Sequence, residues 1–139
     1  MNVIIIVAVI LVAGFLGLII RSHYKAKHAP VTKKSENIKL LSAKNFKGQT
    51  NNGLVLVDFW AARYEPCKML APVLNDIADN ESDTLTIARI NVEQYQQVAS
   101  KYKIKSLPTL VLFKDGVEVN RILGVKTKKA ILKEIAQYA

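Results

Sequence analysis

The stretch from Val55 to Pro72 limits the possible folds more than any other part of the chain. Residues Leu54 to Phe59 form a nearly continuous apolar run, which is typical of a strand covered on both faces. Pro66 suits the first turn of a following helix, and Cys67 comes directly after it. The pattern predicts a central strand that delivers a cysteine into a helix N-terminus, at the edge where open α/β sheets bind their ligands.

The remaining apolar segments predict a mixed sheet with helices on both faces. Strands are expected at Ile38–Leu41, Leu54–Phe59, Leu85–Val92, Leu110–Phe113 and Val117–Leu123. Asp115 and Gly116 predict a tight hairpin between the last two strands. Helices are expected from Ser42 to Phe46, after Pro66, from Tyr95 to Tyr102 and after Thr127, with a loop at Gly48–Gly53. The helix after Pro66 is expected to bury Met69, Leu70, Val73, Leu74 and Ile77.

A second apolar segment, Val3–Ile20, precedes this domain and contains no charged side chain. As a helix it would be about 27 Å long, which matches the hydrocarbon thickness of a bilayer. The alternative, a cleaved secretory signal, needs a basic start and small residues at its end, whereas this run ends in Leu18-Ile19-Ile20-Arg21. We therefore expect a transmembrane anchor at residues 1–20 that contacts membrane lipid through residues 3–20, a basic linker at residues 21–37 and the main domain at residues 38–139.

Part of the net charge of +9 lies directly after the apolar segment. The basic residues there are Arg21, Lys25, Lys27, Lys33 and Lys34. Cationic residues beside an anchor are attracted to anionic headgroups, and the positive-inside rule places the main domain in the cytoplasm. Nucleic-acid binding is not expected, because basic and aromatic residues do not alternate in a binding platform.

Cys67 is the only cysteine in the sequence, so an intrachain disulfide and a cysteine-based zinc site are excluded. The two histidines, His23 and His28, both fall in the basic linker and form no metal-binding pattern with Cys67. No metal and no other cofactor is therefore expected.

Taken together, several motifs resemble the thioredoxin family. The matching segments are Val55–Ala61 and Pro66–Pro72 for the active-site strand and helix, Ser106–Thr109 for the cis-proline loop, and Phe113–Gly116 with Gly124 for the closing hairpin. The resemblance covers roughly Ile38 to Ala139 and implies the thioredoxin fold, an α/β architecture, here preceded by one transmembrane helix.

The chain departs from the family at the motif Trp-Cys-Gly-Pro-Cys, where it has Arg63-Tyr64-Glu65-Pro66-Cys67. The resemblance places Tyr64 where the family has its attacking cysteine and Cys67 where it has the resolving cysteine. One thiol can form a mixed disulfide but cannot release the product within the chain, and a phenol, with a pKa near 10, cannot replace the missing thiol. A dithiol reductase cycle by this chain alone is therefore not expected.

Two roles remain open for Cys67. A helix N-terminus and the neighbouring Lys68 and Arg63 favour the thiolate, whereas Glu65 and burial oppose it. Cys67 is thus either a structural thiol or a reactive monothiol that exchanges with an external thiol such as glutathione. By the resemblance, Asp58 is the buried acid that assists proton transfer to Cys67; the alternative is a residual acid paired with Arg89.

The cis-proline loop points to a second kind of function. In the family, the backbone of the residue before the proline, here Leu107, pairs with an extended peptide. Trp60, Tyr64, Leu107 and Pro108 are therefore expected to surround a groove for a peptide or a partner protein. The alternative is that Pro108 only closes the fold. The sequence thus leaves two hypotheses, a membrane-anchored binding module and a monothiol redox protein.

Overall fold

The structure is a computed structural model that describes residues 2–27 and 34–139. The chain divides into two compact units between Lys33 and Lys34. His28 and Pro30 of the predicted linker lie outside the described residues, as do the side chains of residues 22–27, including His23.

In the first unit the described residues, 2–27, contain one helix, α1, which extends over Val3–Lys27. Within it, Val3–Arg21 has a mean hydropathy of 3.4 and no buried residue, so its length and composition suit a membrane span or a signal sequence. Helix α1 continues seven residues beyond Ile20, into the segment predicted as a linker. The physical reason is that the basic residues and alanine after Ile20 are good helix formers, and the first strong helix breaker is Pro30.

The second unit is built on a five-stranded mixed sheet in the order β1-β3-β2-β4-β5. The strands are β1 Ile38–Leu40, β2 Leu54–Trp60, β3 Thr86–Asn91, β4 Thr109–Lys114 and β5 Val117–Leu123. The apolar strand β2 is central, as predicted, and it is parallel to β3 and antiparallel to β4. Asp115 and Gly116 have φ angles of 49° and 86°, which are the positive values that the predicted hairpin turn requires.

Four helices cover the two faces of the sheet: α2 Phe46–Thr50, α3 Glu65–Asn80, α4 Gln96–Lys101 and α5 Lys128–Ala136. One apolar core contains Leu56 of β2 with side chains of α3 and α5, and a second contains Val57 and Phe59 of β2 with side chains of α2 and α4. Because successive residues of β2 point to opposite faces, a single strand supplies both cores. This is the thioredoxin fold that the sequence predicted.

Three local predictions are wrong. The helix expected from Ser42 to Phe46 begins only at Phe46 and includes Gly48, which was expected in a loop. A reciprocal pair of hydrogen bonds holds Ser42 and Asn45 in a turn, since the Ser42 N–H donates to Asn45 Oδ1 at 2.6 Å and the Asn45 N–H donates to Ser42 Oγ at 3.3 Å.

The other two wrong predictions concern the buried face of α3 and the residue at which the domain starts. Met69 was expected in the core but is 63% exposed, because it points away from the face of α3 that buries Cys67, Leu70 and Leu74. Ser35 was expected in the linker but is buried, and its N–H donates to Asn75 Oδ1 of α3 at 3.2 Å. Packing of the second unit therefore begins before Ile38.

Candidate functional site

Helix α3 starts directly after β2 and places Tyr64 and Cys67 at its first turn. Tyr64 is the N-cap, and its carbonyl oxygen accepts a hydrogen bond from the Cys67 N–H at 3.0 Å. Its side chain projects outward, leaving the residue 51% exposed, whereas Cys67 is only 1% exposed. The surface at the start of α3 is thus formed by a phenol, and the thiol lies beneath it.

Burial is the main influence on the Cys67 thiol and raises its pKa above the ordinary value. The negative charge of Asp58 acts in the same direction, while a backbone hydrogen bond to Ala61 and the positive charge of Arg89 partly oppose the increase in pKa. The thiolate is the nucleophilic form of cysteine, so this environment lowers the reactivity of Cys67 at neutral pH.

Asp58 lies in the middle of β2 and is completely buried. The parallel register places it opposite Arg89 of β3, and Arg89 Nε lies 2.9 Å from Asp58 Oδ2. The other carboxylate oxygen, Oδ1, has no hydrogen-bond partner among the described residues. Burial raises the pKa of Asp58 to about 6, although the charge and hydrogen bond of Arg89 lower it.

Arg89 also contacts Trp60, the last residue of β2. The guanidinium carbon lies 4.5 Å from the centroid of the Trp60 ring, which is within the range of a cation–π interaction. Pairing of Arg89 with Asp58 was one of the two alternatives that the sequence left open, whereas its stacking on Trp60 was not predicted. The signal was present, because Asp58 and Trp60 are two residues apart on one strand and therefore point to the same face.

The cis-proline loop lies beside the end of β2. The register pairs Phe59 with Thr109, so Trp60 and Pro108 lie at the same edge of the sheet. The Leu107–Pro108 peptide bond is cis, Pro108 is buried, and Leu107 is partly exposed. The Pro108 carbonyl oxygen accepts a hydrogen bond from the Gly124 N–H at 3.0 Å.

One exposed apolar residue near this loop was not among the predicted site residues. Leu123 ends β5, is 56% exposed and pairs with Thr109 in the β4–β5 register. The sequence feature that could have identified Leu123 is its position as an apolar residue at a strand end, directly before Gly124.

The second unit also matches a known family over its whole length. The thioredoxin family model matches residues 37–137. The chain belongs to the thioredoxin family. Helix α1 lies outside the match, so the protein consists of a thioredoxin domain preceded by an apolar helix.

Individual thioredoxins are similar to this chain over most of the same domain. The thioredoxin of Chlamydia caviae is 41% identical over 102 residues, which are 73% of this chain and 99% of that protein. The thioredoxin of Mycobacterium tuberculosis is 47% identical over 87 residues, which are 63% of this chain and 75% of that protein. The crystal structure of Malassezia sympodialis thioredoxin aligns with a TM-score of 0.67 and 30% identity, covering 73% of this chain and 92% of that one.

Proposed function

We propose that this protein is a membrane-anchored thioredoxin-like module that binds a peptide or partner protein without dithiol turnover. The observation that carries this proposal is the first turn of α3, where the single thiol is 1% exposed and a half-exposed phenol stands at the surface. A surface of this kind can make contacts but has no accessible thiol for attack.

The cis-proline loop supplies the main support for peptide binding. The backbone N–H and C=O of Leu107 make no hydrogen bond within residues 34–139, and Leu107 is partly exposed. An extended peptide can satisfy both groups by pairing with this residue as an additional strand. Trp60, Tyr64 and Leu123 provide apolar surface for its side chains. We call the surface formed by Trp60, Tyr64, Leu107, Pro108 and Leu123 the groove.

Photocrosslinking from the groove tests this proposal in the cells that produce the protein. Replacing Tyr64 by a photoreactive phenylalanine analogue is expected to capture a discrete partner, because the side chain is exposed at the groove. The matched control is the same analogue at Val117, which is 64% exposed at the start of β5, away from the groove. Equal capture from both positions, or none from position 64, would count against a binding role.

The second candidate is a redox protein in which Cys67 forms mixed disulfides with an external thiol. Membership of the thioredoxin family and the position of Cys67 at a helix N-terminus favour it. In this case Asp58, which lies near the thiol, would be the acid that assists proton transfer to Cys67.

Alkylation of Cys67 distinguishes the two candidates. We expect iodoacetamide to react at least about 100-fold more slowly with the folded protein than with the unfolded protein, because burial restricts access and raises the thiol pKa. The matched control moves the thiol to an exposed position in a Cys67→Ser, Ala62→Cys variant, which should react rapidly. A fast reaction of Cys67 at pH 7 would instead support the monothiol function.

We further propose that α1 is a retained anchor and that the domain faces the cytoplasm. The support is the apolar Val3–Arg21 segment, followed by a basic stretch. Protease added to intact spheroplasts is expected to leave the domain undigested until the membrane is permeabilised. Digestion in intact spheroplasts would show the opposite orientation, and a shortened mature chain in the soluble fraction would show that α1 is a cleaved signal.

A further inference from the structure

The charge of the thioredoxin domain is unevenly distributed along the chain. Residues 34–94 contain seven Lys/Arg and eight Asp/Glu, a net charge of −1. Residues 95–139 contain nine Lys/Arg and three Asp/Glu, a net charge of +6. The excess of positive charge thus lies in the part of the domain that includes the cis-proline loop, β4, β5 and α5.

Seven exposed lysines of this part form no ion pair with any described residue. Four of them lie near the cis-proline loop in the sequence or shortly after Gly124, and we call these the basic rim: Lys103, Lys105, Lys126 and Lys129. The three acids of the same part already have other partners. Asp115 accepts a hydrogen bond from the Gly53 N–H, Glu118 pairs with Arg121, and Glu134 accepts one from Asn120.

Backbone contacts place the basic rim beside the groove. Lys105 precedes Leu107 by two residues, and Lys126 follows Gly124 by two residues. The Gly124 N–H donates to the Pro108 carbonyl oxygen at 3.0 Å, so the two backbone segments that carry these lysines both lie next to the cis-proline loop.

Arg121 fixes this arrangement. Its guanidinium donates to the carbonyl oxygens of Tyr102 at 2.8 Å and Lys103 at 3.3 Å, which ties the loop after α4 to strand β5. Because Glu118 lies 2.7 Å from Arg121 Nε, the charge of Arg121 is already compensated. The positive charge available to a ligand is therefore that of the lysines.

A surface cavity of about 440 Å³ extends the groove along β5. Its lining residues are Arg121, Ile122, Leu123, Lys126, Ala130 and Glu134. It combines the exposed apolar side chain of Leu123 with the unpaired ammonium group of Lys126. A segment that leaves the groove along this cavity meets the apolar side chain of Leu123 and the positive charge of Lys126, with the carboxylate of Glu134 on the α5 side of the cavity.

We infer that the groove takes an acidic partner: an extended segment whose apolar residue contacts Leu123 and whose Asp or Glu side chains pair with Lys105 and Lys126. This inference rests on the binding function proposed above. A peptide suits the site better than a lipid surface does, because the lysines lie near the exposed apolar side chain of Leu123 and the unpaired backbone groups of Leu107. Charge complementarity of this kind selects partners and speeds their association.

Selection from a random dodecapeptide library displayed on phage tests the inference. The full chain is presented in nanodiscs of neutral phosphatidylcholine, and the enriched peptides are then measured by fluorescence polarisation. We expect the enriched peptides to be acidic and to bind about tenfold more weakly to a Lys105→Glu, Lys126→Glu variant. Binding should also weaken as salt is raised from about 0.05 M to 0.5 M.

The matched control is a Lys39→Glu, Lys44→Glu variant, which makes the same change of charge at two exposed lysines of the other half and should bind like the wild type. A Lys105→Gln, Lys126→Gln variant should give an intermediate affinity. Enrichment of neutral peptides that still require Tyr64 would overturn the acidic partner and leave the groove intact. No enrichment at all would overturn both proposals.

A lipid partner is tested in parallel by measuring binding of the nanodisc-held protein to phosphatidylserine vesicles. If phosphatidylserine vesicles bind the nanodisc-held protein through Lys105 and Lys126, while the library yields no acidic peptides, the basic rim is a lipid-binding surface and the inference is wrong.

Discussion

A Tyr64→Cys substitution is expected to give the protein a disulfide reductase activity that the wild-type chain lacks. Position 64 is the N-cap of α3, where the helix dipole stabilises a thiolate, and it precedes Cys67 by the three residues of a Cys-Xaa-Xaa-Cys motif. The new thiol at position 64 would attack a substrate disulfide, and Cys67 would release the product by forming the internal disulfide. Two electrons then come from dithiothreitol, which reduces the internal disulfide again.

Insulin reduction with dithiothreitol measures this activity. The wild-type protein should match the background rate of dithiothreitol alone, and the Tyr64→Cys variant should exceed it by at least about tenfold, since lowering the pKa of a thiol to near 7 makes about half of it thiolate. Tyr64→Ser, which removes the phenol without adding a thiol, is the matched control and should remain inactive. Turnover by the wild type would falsify the proposed absence of a dithiol cycle.

A second control separates the two half-reactions. In a Tyr64→Cys, Cys67→Ser variant, the exposed thiol can attack but no internal thiol can release the product. Mixed with insulin in the absence of dithiothreitol, which would itself cleave a mixed disulfide, this variant should accumulate a mixed disulfide, detectable by its mass, and release no reduced insulin chain. If it turns over as fast as the Tyr64→Cys variant, Cys67 does not resolve the intermediate.

The strands and the central position of β2 could be predicted because most of these segments have a strong local signal. The apolar run Leu54–Phe59 predicted a central strand, and Asp115-Gly116 predicted the hairpin, since burial and turn geometry at these places depend on a few adjacent residues. Spatial relations between distant residues were less accessible. The contact of Arg89 with Trp60 depends on the β2–β3 register, which the sequence predicts only if both strands and their alignment are known.

In the candidate site, too, features with a local sequence signal could be predicted and features that depend on packing could not. The sequence identified Tyr64, Cys67, Leu107 and Pro108 through motifs, but the burial of Cys67 to 1% depends on how α3 packs against the sheet. Leu123 was not identified, because a single apolar residue at a strand end is common and becomes notable only beside the cis-proline loop. The predicted bounds of α2 and the predicted burial of Met69 were wrong for a related reason, since tertiary packing determines where a short helix begins and which face of a helix is buried.

Asp58→Asn is expected to raise the free energy of unfolding by about 3 kcal/mol at pH 8 and by little at pH 4. The reason is that the pKa of the Asp58 carboxyl is about 6 in the folded protein, against an ordinary value of 3.8 for aspartate. Between these two values the folded protein binds a proton that the unfolded chain has lost. Stability of the wild type therefore falls as pH rises from about 4 to 6 and then stays level, because above pH 6 the fold contains a buried carboxylate. The amide of asparagine removes this cost and can still accept the Arg89 hydrogen bond through its oxygen.

Urea unfolding at several pH values measures the effect, and Trp60, the only tryptophan, reports it by fluorescence. The matched control is Asp76→Asn, an acid of α3 whose side chain is 53% exposed and pairs with Lys128 at 3.2 Å. Its effect should stay within about 0.5 kcal/mol between pH 4 and 8, as for exposed ion pairs in general. A difference between Asp58→Asn and the wild type that does not change with pH would mean that the carboxyl does not titrate in this range. A loss of stability at pH 8 would mean that the Arg89 ion pair outweighs the burial of Asp58, and that Asp58 is retained as a structural partner of Arg89.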